Sequence, residues 1–162
     1  MQEKGNKIFT EGEVKFLREL IRQKVPFMLV GLSAATLQGA PVVTQDIDLW
    51  FKDPAHRGIK QALDRVGGVY VPPSAFTPPM FAGESVRLFD IVVYMHGLGS
   101  FADERRHAIK VKVDGFSVPV LSLSRIIDSK KALNRLKDQQ VLPVLEDVLK
   151  AQAIVRKKRR GV

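Results

Sequence analysis

Cysteine is absent from the chain, which excludes disulfides, thiolate zinc sites, iron–sulfur clusters and cysteine nucleophiles together. Histidine is scarce: His56, His96 and His107 are the only three, and their spacing fits no zinc motif. His56 and His107 sit among charged residues and are expected to be solvated. No serine, histidine and aspartate grouping suggests a hydrolytic triad. No apolar run approaches the roughly 20 residues that cross a bilayer, so no membrane partner is expected. The first residues, Met1-Gln2-Glu3-Lys4-Gly5-Asn6-Lys7, lack the basic-then-apolar layout of a signal peptide, and cytoplasmic residence is the expectation. Aromatics make up 7% of the chain, and Trp50 and Phe51 are expected in the core rather than stacked on bases.

What is present suits a globular protein. The 162 residues are 45% hydrophobic and 27% charged, enough to bury a core and to form one domain over residues 1–155. The net charge is +9, and five of those charges are consecutive, Arg156-Lys157-Lys158-Arg159-Arg160. Without them the body carries only +4. Residues 156–162 therefore read as a basic tail, expected to be an exposed, frayed terminus. Such a run can also hold phosphates by counterion release.

Periodicity and punctuation give the elements. Thr10 with Glu13 forms a capping box, followed by Val14, Leu17, Leu20 and Ile21 at helical spacing up to Pro26. Phe27-Met28-Leu29-Val30 reads as a buried strand, Leu32 to Gln38 as a short helix closed by Gly39, and Val43 to Phe51 as a second strand. Asp53-Pro54 predicts a cap and a helix to about Val66, followed by a short strand at Val69 to Val71. Pro72, Pro73, Pro78 and Pro79 predict an irregular loop, a candidate rim for a site. Val86 to Met95 is expected as a strand, and residues 109–113 and 116–120 as a hairpin about Asp114-Gly115. Helices follow from Ser122 to about Asn134, and from a start or kink at Pro143 into the basic run. This order predicts an α/β (α+β) fold: a mixed β-sheet with flanking helices, plus C-terminal helices from about residue 122.

Three carboxylates interrupt apolar strands. Asp46 and Asp48, two apart in Thr44-Gln45-Asp46-Ile47-Asp48-Leu49, fall on one face of a strand. Two ionised carboxylates side by side resist burial unless a cation neutralises them, and oxygen-only ligands suit Mg²⁺. Gly31, at a strand-to-helix turn fifteen residues earlier, offers backbone N–H groups to an anion, and Ser33 adds a hydroxyl. Asp90 supplies a third carboxylate within Phe89-Asp90-Ile91-Val92, although simple alternation toward solvent also accounts for it. Lys130 lies one turn beyond Ile126 and Ile127 on the apolar stripe of its helix, where a lysine either snorkels or reaches into a cleft.

The chain resembles the nucleotidyltransferase fold superfamily. The resemblance rests on Leu29-Val30-Gly31-Leu32-Ser33-Ala34, then Gly39, Thr44 to Leu49, Phe89-Asp90-Ile91, Lys130 and Arg135-Leu136-Lys137-Asp138. It covers about Phe27 to Leu149 and is nearest to small prokaryotic members related to abortive-infection and toxin–antitoxin nucleotidyltransferases. It implies that Asp46, Asp48 and Asp90 hold Mg²⁺, or Mn²⁺, with Asp90 also helping to deprotonate the attacking hydroxyl. It further implies that Gly31 and Ser33 embrace the β- and γ-phosphates of a nucleoside triphosphate. Lys130, Arg135 and Lys137 resemble the family's basic, nucleotide-binding residues, with Asp138 orienting them. Two positions depart from the pattern: Leu32 where a second small residue is usual, and Val42 where an arginine is frequent.

The expected activity is Mg²⁺-dependent transfer of a nucleoside monophosphate from an NTP to a hydroxyl of RNA, protein or a small molecule. The basic balance makes RNA, tRNA in particular, a sensible acceptor, and the family resemblance adds an antitoxin-like partner. Two alternatives share the residues: an inactive binding module on the same fold, suggested by Leu32, and a nucleic-acid binder driven by the basic run.

Overall fold

The computed structural model describes residues 8–161. Met1 to Lys7, the stretch on which the signal-peptide reading rests, and Val162 lie outside them. A five-stranded mixed sheet forms the centre, in the order β5 (Phe89–Val92), β2 (Ile47–Phe51), β1 (Phe27–Val30), β7 (Phe116–Leu121), β6 (Ala108–Val113). β1 runs antiparallel to β2 and parallel to β7, and β2 runs parallel to β5. The expected mixed sheet with flanking helices is the observed architecture.

Alternation along β2 explains how both sides of the sheet are buried. Ile47, Leu49 and Phe51 face α1 (Glu11–Arg22), where Phe16 packs edge-on to Phe81 and against Phe89. Asp48 and Trp50 face the other way, and the buried Trp50 ring meets Phe101 of the short helix α4 (Phe101–Glu104) edge-on. Trp50 and Phe51 are core residues, as expected. The capping box forms as read: Thr10 N–H donates to Glu13 Oε1 at 2.9 Å, and Glu13 N–H to Thr10 Oγ1 at 3.2 Å.

Several boundaries differ from the sequence reading. β2 begins at Ile47, so Val43 to Asp46 are loop and Asp46 is not a strand residue. Thr44 Oγ1 bonds to Asp46 O inside that loop instead of joining a ladder. The helix predicted from Pro54 is α3 (Arg57–Arg65), capped not by Asp53 but by His56, whose Nδ1 accepts from Gly58 N–H at 3.0 Å. His56 is thus a structural cap rather than a merely solvated side chain; His107 is exposed. The strand expected over Val86 to Met95 is only β5, four residues long.

β3 (Val69–Val71) pairs with the unforeseen β4 (Met80–Ala82) in a separate two-stranded sheet, and the proline-rich loop joins them. None of residues 72–79 lines the cleft described below, so this loop is no rim of it.

The C-terminal region holds α5 (Leu123–Leu133) and α6 (Leu136–Arg160). α6 starts seven residues before Pro143 and runs straight through it. Two forces override the proline. Asp138 Oδ2 accepts Arg135 N–H at 3.1 Å, fixing the helix start. The stripe Val141, Leu142, Leu145, Val148 and Leu149 packs on the core and offsets the lost backbone bond. The basic run is not a frayed tail either, because Arg156 to Arg160 are the last residues of α6. No helix of the described residues is long and apolar enough to cross a membrane.

Candidate active site

The sheet's topology gathers the three sequence-identified acids at one end. Asp48 is the second residue of β2 and lies opposite Val30, the last residue of β1. Asp90 is the second residue of β5 and sits directly beside Asp48 in the parallel register. Neighbours in register point to the same face, so the two carboxylates project together. Asp46, two residues before Asp48 in the loop, joins them.

A cleft of about 300 Å³ is lined by Asp46, Asp48, Asp90, Thr44 and Leu32 on one side, and by Lys130, Arg135, Lys137, Asp138 and Val141 on the other. α5 brings Lys130, and the start of α6 brings the rest. Six of the eight sequence-identified site residues therefore share one cleft.

Gly31 and Ser33 take different places. Gly31 opens α2 (Gly31–Leu37) with φ +69°, and a Cβ built on it would collide with Asp48 Oδ2. The turn needs glycine both for its backbone and for the carboxylate beside it. Ser33 is buried, its hydroxyl donates to Val30 O at 3.2 Å, and it lines a neighbouring cavity behind the Thr44–Asp46 loop. The Ser33 hydroxyl is thus spent within the fold, and Leu32 occupies the cleft wall in its stead.

Electrostatics follow from this crowding. Burial pushes the Asp48 carboxyl up to about 6, Asp90 and Asp46 add to the rise, and Lys130 and Lys137 oppose it. Asp90 is also raised, first by desolvation and then by Asp46. Asp138 shows the reverse. It is fully buried and held by Arg135 through Nε at 2.7 Å and Nη2 at 3.1 Å, with Lys130 Nζ at 3.4 Å, and its carboxyl is lowered to about 2. Asp138 therefore fixes two cations on the wall facing the acids, while Lys137 remains without an ion-pair partner among the described residues.

Among the described residues, no three acidic or histidine side chains stand close enough to form a ready-made metal cage. The donor chemistry nonetheless fits a hard divalent cation: oxygen ligands only, two of them held above the usual carboxylate range first by burial and then by neighbouring carboxylates. Four carboxylates against three cations leave the cleft with one net negative charge when all are ionised, and a divalent ion makes it net positive.

Sequence reasoning missed the brace behind the site. Glu104 of α4 is buried and receives Arg125 of α5 through Nε at 3.0 and 3.1 Å and through Nη2, while Arg125 Nη1 reaches Asp128 at 2.9 Å. Nearby, Ser129 Oγ donates to His96 O at 2.8 Å. No local pattern announces a pair 21 residues apart. Val141 was findable, since it lies one helical turn beyond Asp138 once α6 is started at Leu136.

No family model matches the chain, and a search of curated proteins finds no match. Solved structures do match. The crystal structure of ANT(2'')-Ia in complex with adenylyl-2''-tobramycin aligns with TM-score 0.56 at 15% identity, covering 90% of this chain and 95% of that one. A nucleotidyltransferase candidate from Thermotoga maritima, TM1012, aligns with TM-score 0.54 at 19% identity over 91% and 90% of the two chains. An antigenic nucleotidyltransferase-like protein from Paracoccidioides brasiliensis aligns with TM-score 0.53 at 16% identity over 94% and 91%. The chain has the nucleotidyltransferase fold.

Proposed function

We propose that the protein is a Mg²⁺-dependent nucleotidyltransferase that moves a nucleoside monophosphate from an NTP to an acceptor hydroxyl. The observation that carries this reading is the register pairing of Asp48 with Asp90, with Asp46 alongside and Lys130, Arg135 and Lys137 facing them across one cleft. In this reading Asp46, Asp48 and Asp90 hold Mg²⁺, with Mn²⁺ as a substitute. Bound there, the ion supplies charge stabilisation to the phosphoryl oxygens and lowers the repulsion between triphosphate and carboxylates.

The chain's own residues do the rest. Lys130, Arg135 and Lys137 bind the phosphates, and Asp138 keeps the first two aimed. The glycine turn at Gly31 lets the backbone approach the phosphates while leaving room for Asp48, with Ser33 contributing through its backbone N–H at the helix start. The acceptor hydroxyl attacks the α-phosphorus in line. An O–P bond forms to the acceptor, the bond to pyrophosphate breaks, and the hydroxyl proton passes to Asp90. Orientation and charge complementarity supply most of the acceleration.

The acceptor belongs to RNA, in particular tRNA, to a protein or to a small molecule. A toxin–antitoxin-type role, with an antitoxin-like partner and cytoplasmic residence, is consistent with the family resemblance. The competing reading is an inactive binding module, favoured by Leu32 in the cleft wall. Incubation of each NTP, labelled at the α- or the γ-phosphate, with Mg²⁺ and total cellular RNA or protein separates the two. Transfer of α-label but not γ-label, lost in Asp48→Asn, is expected. Absence of transfer with every NTP favours the binding module.

A further inference from the structure

Seven cations that the cleft does not use, Arg105, Arg106 and the five from Arg156 to Arg160, lie toward the same end of the molecule as the cleft. Strand register draws one row across the sheet there: Asp90 beside Asp48, Asp48 opposite Val30, and, one step past the Leu29–Val120 pair, Leu121 opposite Ala108. At about 4.8 Å between strands, Ala108 stands about 14 Å from Asp48 along this row. The 3-10 turn Arg105–His107 leads directly into Ala108, and Arg105 and Arg106 are both exposed.

α6 crosses the same end. It leaves the cleft at Lys137 and is pinned at Gln152, whose Nε2 donates to Gln38 O at 2.6 Å. Gln38 in turn holds Leu121 O at 2.8 Å and Leu123 N–H at 2.9 Å, so the pin lies at the end of β7. His107 O accepts Ser122 N–H at 3.0 Å, tying the arginine turn to that point as well. Beyond Gln152, residues 153–161 are all exposed, so the helix stands clear of the body, and Arg156 to Arg160 begin about 6 Å further along its axis.

Among the described residues none of these seven cations forms an ion pair. Successive helix residues turn by about 100°, so five in a row form a collar of charge on every side of the helix. The pairs three and four apart within it repel. The favourable helix dipole accounts for one or two cations at a C-terminus but not for a full collar together with a separate arginine pair. A flat membrane would meet one side of such a collar, whereas a flexible polyanion can wrap it.

We propose that Arg105, Arg106 and the Arg156–Arg160 collar form a docking track for the sugar–phosphate backbone of a nucleic acid, lying along the active-site end of the sheet. Delivery of that strand's terminal hydroxyl to the cleft rests on the nucleotidyl-transfer reading; the docking itself does not. RNA and DNA share the recognised chemistry.

The test is fluorescence anisotropy of the full chain with labelled RNA and DNA oligonucleotides and with anionic phosphatidylglycerol vesicles, over a range of salt. One variant replaces all five collar residues (Arg156→Gln, Lys157→Gln, Lys158→Gln, Arg159→Gln and Arg160→Gln); a second carries Arg105→Gln with Arg106→Gln. Glutamine keeps helix propensity, and these side chains are exposed, so both variants should retain the parent's melting temperature. In each, the slope of log affinity against log salt should fall by roughly 0.7 to 0.9 for every cation that contacts a phosphate. For the collar variant, affinity should drop at least about tenfold near 0.1 M salt. The anisotropy assay contains neither NTP nor a divalent ion, so its outcome does not depend on catalysis, and a failed transfer assay and a failed docking experiment are distinguishable. Preference for RNA or for DNA identifies the source of the backbone. An unchanged slope in either variant, or vesicle binding without oligonucleotide binding, overturns the track.

Discussion

Gly31 and Asp48 occupy each other's space: the carboxylate oxygen Oδ2 lies where a side chain on Gly31 would begin. The end of β1 and the start of β2 are antiparallel neighbours, so the glycine turn and the Asp48 carboxylate are one packed unit. Gly31→Ala should therefore do two things. It should destabilise the fold by about 1–2 kcal/mol through the left-handed backbone at φ +69°. It should also displace Asp48 and weaken Mg²⁺ binding by more than that loss of stability explains. Denaturant melts and a Mg²⁺ titration on the same variant check both parts.

The crowded Asp48 carboxylate predicts a pH signature. Its folded value of about 6 lies above the ordinary 3.8, so the ionised form costs the folded state stability at higher pH. In EDTA, Asp48→Asn should melt above the parent at pH 8, with each kcal/mol worth roughly 2–4 °C in a chain of this size. The gap should shrink as pH falls through 6 and vanish below about 4, where the aspartate is protonated in both states. A melting difference that does not change with pH contradicts the assigned environment.

Asp138 carries the opposite sign. Its folded value of about 2 lies below 3.8, so its contribution is present above pH 3.8 and is lost as pH falls toward 2. Asp138→Asn should cost about 2 kcal/mol at pH 7, the size expected for hydrogen bonds to charged groups, and very little near pH 2. Because Arg135 and Lys130 lose their anchor, the KM for NTP should also rise. Urea melts at two pH values, together with steady-state kinetics, test the pair of effects.

The brace between α4 and α5 holds the helix that carries Lys130. Arg125→Ala leaves the buried Glu104 carboxylate unpaired and should destabilise by about 3 kcal/mol. The double variant Arg125→Ala with Glu104→Gln should recover part of that loss, because the buried charge is gone. Equal melting of the single and double variants would count against a charge-based brace.

How much of this could be read from the chain depends on the range of the interaction. The capping box at Thr10 and the hairpin about Asp114-Gly115 are local chemistry, and both formed as read. Asp46, Asp48 and Asp90 were visible because charge inside apolar runs is costly, and the sheet brought them to one end. The start of α6 was missed because Pro143 looked like a boundary, whereas the stripe from Val141 to Leu149 is satisfied only by tertiary packing. The Ser33 hydroxyl looked available because sequence does not reveal that the helix turn consumes it at Val30 O. The Glu104–Arg125 pair joins segments 21 residues apart, and nothing local to either residue predicts the other.

With four carboxylates against three cations, the cleft disfavours a triphosphate until a divalent cation enters it. Isothermal titration with a non-hydrolysable α,β-methylene NTP, in Mg²⁺ and then in EDTA, measures this directly. Binding in Mg²⁺ that disappears in EDTA and in Asp48→Asn is the predicted result. Equal affinity with and without the ion, or nucleotide binding that survives Asp48→Asn unchanged, would contradict it.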